Sequence, residues 1–64
     1  MKELDVVKSI KRISDKVDKN CEGTIVMVLT KPRLAYLIEF IDENENTIDI
    51  IPVTPENLEL IYSN

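Results

Sequence analysis

The sequence predicts a small, mostly β protein built on an antiparallel meander. Three apolar runs rich in β-branched and aromatic residues carry that reading: Thr24–Thr30, Ala35–Ile41 and Thr47–Val53. Two short polar connections separate them.

The first run, Thr-Ile-Val-Met-Val-Leu-Thr, follows the only glycine, Gly23. Lys31-Pro32-Arg33 then makes a turn, because proline presets φ for a turn position. The second run is Ala-Tyr-Leu-Ile-Glu-Phe-Ile. It ends at Asp42-Glu43-Asn44-Glu45-Asn46, a polar stretch of hairpin-loop length. After the third run, Thr54-Pro55-Glu56-Asn57 resembles one helical turn, with Thr54 as N-cap and Pro55 at the first position, where its missing N–H is harmless. Leu58-Glu59-Leu60-Ile61-Tyr62 is too short for a helix and reads as a closing strand.

The N-terminus supports two readings. Val6, Ile10, Ile13 and Val17 recur at helical spacing, which gives a helix packed on a three- to four-strand sheet. Leu4-Asp5-Val6-Val7-Lys8-Ser9-Ile10 reads equally as a strand. Asp18–Gly23 is a turn either way, with Asn20 and Gly23 able to take positive φ.

Strand alternation assigns the faces. In the second strand Glu39 points out, so Tyr36, Ile38 and Phe40 point in. Asp49 likewise turns Ile48 and Ile50 inward. The first strand is apolar on both faces; Val26 and Val28 are placed in the core. Met27, Leu29, Leu37, Ile41 and Ile51 are then left on the outside, more apolar surface than a monomer should expose together.

A chain of 64 residues forms one domain, residues 1–64, and buries only about 60% of the surface it exposes when unfolded. Its lone cysteine, Cys21, excludes an internal disulfide and suits a reducing cytoplasm. With no histidine, a Cys/His zinc site is excluded. No signal-peptide pattern follows Met1, and no segment approaches the roughly 20 apolar residues of a membrane span. A cytoplasmic protein without a membrane partner is the expectation.

Charge is the most informative bulk property. The net is −4, but residues 1–33 hold all eight bases against five acids, and residues 34–64 hold seven acids and no base. The first half is +3 and the second −7. An acidic balance argues against general nucleic-acid binding, which needs clustered Lys and Arg. It favours a basic protein partner steered in by the acidic half.

Little in the chain can do chemistry. Without histidine there is no histidine-based nucleophile pair, and only Lys19 stands near Cys21 as a base. Asp42-Glu43-x-Glu45 superficially resembles a calcium loop but lacks its glycine and its terminal Glu spacing. One glycine cannot make a Gly-rich phosphate loop. The sequence therefore predicts no enzyme, no cofactor and no metal. The candidate partner-binding residues are Glu39, Asp42, Glu43, Glu45 and Asp49, with Met27, Leu29 and Leu37 as an apolar centre.

Leu4-Asp5-Val6-Val7, Glu22–Val28, Tyr36–Asp42, Thr47-Ile48 and Pro55-Glu56-Asn57-Leu58 together resemble a bacterial family of very small uncharacterised proteins. The resemblance spans nearly the whole chain, and its motifs are short and structural. Asn20-Cys21 stands where that family usually has glycine, and Asp42–Asn46 lacks its usual glycine. The resemblance implies a small SH3-like barrel: strand, long loop, three-strand meander, one helical turn, closing strand. Residues 4–11 would then pair as a strand and residues 12–23 form the long loop. It also implies proximity to toxin-like nuclease genes, and so an immunity or antitoxin role in which the protein inhibits a toxin. A structural or adaptor module, monomeric or homodimeric through Met27, Leu29, Leu37 and Ile51, is the alternative. A third reading is a small nucleic-acid-binding barrel using Lys8, Lys11, Arg12, Lys16 and Lys19.

Overall fold

The computed structural model describes residues 1–64 and contains five antiparallel strands, one 3-10 turn and no α-helix. The strands are β1 (Val6–Ser9), β2 (Glu22–Leu29), β3 (Ala35–Ile41), β4 (Thr47–Val53) and β5 (Leu58–Tyr62), and the turn is Pro55–Asn57. They form one sheet in the order β4-β3-β2-β1-β5. Strand order and turn follow the pattern expected of a small SH3-like barrel, although β4 and β5 remain unpaired edges. Both edges nevertheless feed one core: Val7, Val17, Ile25, Tyr36, Ile38, Phe40, Val53 and Leu58 pack as a single buried cluster. A sheet whose two ends share a core must curl around it.

The N-terminal helix does not form. The strand there is also shorter than residues 4–11, because Leu4 adopts a left-handed φ of 72°. That bend lets the Leu4 amide donate to the Ile25 carbonyl at 2.7 Å, while the Ile25 amide donates to the Asp5 carbonyl. Helical spacing at residues 6–17 has a different cause. Val17 is buried because the long loop folds back over the sheet, tied by Ser9: its Oγ donates to the Asp18 carbonyl at 2.7 Å and accepts the Cys21 amide at 3.0 Å.

β3 presents Tyr36, Ile38 and Phe40 to the core as its alternation requires. The neighbouring strands depart from simple alternation through bulges, each of which adds a residue and reverses the faces beyond it. In β2, Ile25 pairs with Ile38 and Met27 with Leu37, so Val26 is the extra residue. Ile25, not Val26, is buried; Val28 packs partly against the core as expected. In β4, Phe40 pairs with Asp49 and Ile41 with Thr47, which makes Ile48 the extra residue. Asp49, Ile51 and Val53 therefore share the core side. Asp49 does not turn Ile50 inward: Ile50 lies opposite Glu39 and is 51% exposed. Ile51 packs on the core instead of lying outside.

Gly23 sits inside β2 with no positive φ. It is needed for space: a Cβ there would stand 2.5 Å from Ile38 Cγ2 and 2.9 Å from the Glu39 carbonyl oxygen. Asn20 does take positive φ, at 67°, and Glu45 does so at 64°. These two fill the left-handed positions in the very turns that lack glycine. Thr54 stands at the N-cap with Pro55 following, but its side chain caps no amide; its Oγ1 accepts from Asn57 Nδ2 instead.

Each edge of the sheet ends differently. On β4, Pro52 has no N–H, and two residues earlier the Ile50 N–H is taken by the Asp49 carboxylate at 2.9 Å. On β5, Leu60, Ile61 and Tyr62 are exposed and no such cap is present.

Candidate functional site

The loop between β3 and β4 is built by Asp42. Its Oδ1 accepts the Asn44 and Asn46 amides, both at 2.9 Å, and its backbone exchanges hydrogen bonds with Asn46 and Glu45. These amides, Asn46 first, hold the Asp42 carboxyl below the usual carboxylate range. The loop is thereby pinned from within, and Glu43 and Glu45 are exposed on it. Their carboxylates accept no hydrogen bond and form no salt bridge in the chain.

The start of β2 comes to the same end of the sheet, because Glu22 pairs with Ile41. Together these elements line an open recess of about 390 Å3, bounded by Asn20, Cys21, Glu22, Ile41, Asp42, Glu43, Glu45 and Ile48. Its floor is apolar, from Ile41 and Ile48. Its rim carries four carboxylates and no base. Burial raises the Cys21 thiol pKa above its ordinary value, and the carboxylates of Asp18, Asp42 and Glu22 add to the effect. Cys21 therefore stays a protonated thiol, and its Sγ lies 3.7 Å from the Ile41 carbonyl.

The eight residues singled out from the sequence divide into three places. Asp42, Glu43 and Glu45 form the recess rim. Glu39 lies on the outer face of the sheet, accepting from Thr47 Oγ1 at 2.6 Å. Asp49 lies across from Phe40 on the core side, engaged with the Ile50 amide. The expected single acidic edge running through all five is thus split over both faces and one end. Met27, Leu29 and Leu37 do come together: Met27 pairs with Leu37, and Leu29 with Ala35, on the outer face.

Glu22, Ile41 and Ile48 were not legible as site residues. Starting the first strand at Glu22 instead of Thr24 would have placed Glu22 beside the Asp42 loop, since antiparallel pairing brings the start of one strand to the end of the next. Among the bases of the first half, Lys8 pairs with Glu59 at 3.8 Å and Arg12 with Asp15 at 3.7 Å, so part of the basic set is neutralised locally.

These features define a small curled β sheet with a carboxylate-rimmed recess at one end. Residues 3–60 match the family described as Domain of unknown function (DUF4926), and the chain belongs to that family. Neither a curated protein nor a solved structure matches the chain. No helix is long and apolar enough to cross a membrane.

Proposed function

We propose that this protein is a non-enzymatic cytoplasmic binding module that holds a basic protein partner at its acidic end, in the manner of an immunity or antitoxin protein covering the basic site of a nuclease-type toxin. The observation that carries this reading is the recess: four carboxylates around an apolar floor, with no base among its lining residues. A Lys or Arg side chain of a partner fits that chemistry, its aliphatic stem on Ile41 and Ile48 and its cationic head among the carboxylates. The loop is pre-organised by Asp42, so little ordering is required on binding. A cleft built to bind phosphates is basic, and acids presented to it replace phosphate charge.

The test is co-expression with the protein encoded beside this gene, followed by purification of the pair and a nuclease assay. A stable complex with suppressed nuclease activity is expected. Absence of a complex together with undiminished toxicity would refute the reading. Within such a complex, Glu43→Lys with Glu45→Lys moves the charge of residues 34–64 from −7 to −3. These are exposed rim charges worth about 0–1 kcal/mol each. Their reversal should slow association at low salt, and the difference should fade above roughly 0.15 M, where the screening length is about 8 Å.

A further inference from the structure

The outer face of the sheet is apolar at its centre and charged with opposite sign at its two ends. The centre is a straight row across three strands, Met27 opposite Leu37 and Leu37 opposite Pro52. Leu29 and Ala35 flank it on one side and Ile50 on the other. Met27 is 49% exposed and Ile50 51%, so the patch faces solvent. Beyond Leu29 and Ala35 comes the β2–β3 turn with Lys31 and Arg33, which form no salt bridge. Beyond Ile50 and Glu39 comes the Asp42–Asn46 loop with Glu43 and Glu45, equally free. Lys31 and Glu43 stand the same number of residues from Leu37, on opposite sides.

We propose that this face is a self-association surface on which a second copy of the chain docks, with a two-fold axis running along the Met27–Leu37–Pro52 row between the two sheets. Such an axis reverses strand direction while keeping the row in place. Leu37 then meets Leu37, Met27 meets Met27, and each basic turn lies over the partner's acidic loop. The contact is isologous, so every favourable charge pairing occurs twice. An axis along the strands would instead put like charges together. The opposite charges at the two ends therefore select the antiparallel arrangement, and with it a second copy as the occupant. This inference is independent of the basic-partner reading and concerns the protein alone. The two are linked only in that Glu43 and Glu45 serve both, so self-association and partner binding compete.

Sedimentation equilibrium of the purified chain over a wide concentration range tests it. A reversible dimer is expected, weakening as salt rises. Met27→Glu, at an exposed position that folding tolerates, should abolish it. Lys31→Glu with Arg33→Glu makes both ends acidic, and Glu43→Lys with Glu45→Lys cancels the charge of the acidic end, where Glu22 and Asp42 remain. Each double variant alone should self-associate about tenfold more weakly. Mixed together, the two should form a heterodimer tighter than either homodimer. Wild-type protein that stays monomeric throughout would overturn the proposal. So would a dimer indifferent to Met27→Glu, as pairing through the open β5 edge would be, or a mixture that fails to associate.

Discussion

Asp5 shows how much one side chain can tie together in so small a chain. Its carboxylate is buried and accepts the Lys2 and Asn64 amides, both at 2.9 Å, and pairs with Lys2 Nζ at 3.1 Å. The Asn64 amide is the leading cause that lowers its pKa from the ordinary 3.8 to about 2, with the Lys2 amide and ammonium adding to it against the cost of burial. A depressed folded-state pKa contributes stability that is present above the unfolded value and lost as pH falls through the folded one. Acid should therefore remove this contribution between pH 4 and pH 2. Urea midpoints across that window should fall more steeply for the wild type than for Asp5→Asn, which is weakened at neutral pH already. At Gly23 the constraint is space: Gly23→Ala forces a Cβ into Ile38 and the Glu39 carbonyl. Overpacking of this kind costs about 1–3 kcal/mol, readable as a lowered urea midpoint at unchanged slope. Glu45 is the converse case. Its left-handed φ is strained for any residue with a Cβ, so Glu45→Gly should gain about 0.5–1 kcal/mol once the glycine's extra unfolded-state freedom is subtracted.

Among the elements, β3 was readable from sequence in full, because it is a regular central strand with one polar residue, Glu39, to mark its outer face. The meander, both of its connections, the 3-10 turn and the closing strand were legible for the same reason: turn residues and β-rich runs are local signals. The faces of β2 and β4 were not. A bulge is decided by pairing with the neighbouring strand, and Asp49 misled because a carboxylate at an open edge can reach an amide without leaving the core side. The recess was only half legible, since Asp42, Glu43 and Glu45 are contiguous but Glu22 joins them through register. The long loop between β1 and β2 was expected from the family resemblance, but its shape was not legible, because what shapes it is Ser9, a single hydroxyl that donates to one loop residue and accepts from another. Ser9→Ala removes the donor to Asp18 and strands the Cys21 amide, a cost of about 1–3 kcal/mol. Hydrogen exchange should show residues 10–21 opening preferentially, with β3 protected as before.

For the whole molecule, the decisive quantity is how little core there is. Eight residues form the buried cluster, and Phe40 is the largest of those fully buried. A single core in a chain this short supplies rarely more than about 3–5 kcal/mol of net stability, and Phe40→Ala alone costs about 3–5 kcal/mol. That variant should be largely unfolded at room temperature, visible as lost sheet signal in far-ultraviolet circular dichroism. A partner or a second copy that binds only the folded chain would raise the apparent stability, growing with the logarithm of its concentration once that exceeds Kd. The charge separation between the halves also belongs at this scale: the β2–β3 turn and the β3–β4 loop carry opposite signs at opposite ends of the same strands.

The capped edge of β4 bears on how this chain behaves when crowded. An open edge is a template on which further strands can stack without limit. Here Pro52 and the Asp49–Ile50 contact blunt that template on the side where Ile50 lies bare. Growth of a fibril needs two competent edges, one for each direction of addition, and this sheet offers one. Association through the remaining edge stops at a pair. Replacing Pro52 with Thr and Asp49 with Ala restores the second edge, and the doubly substituted chain should convert to thioflavin-positive fibrils under conditions where the wild type stays in solution.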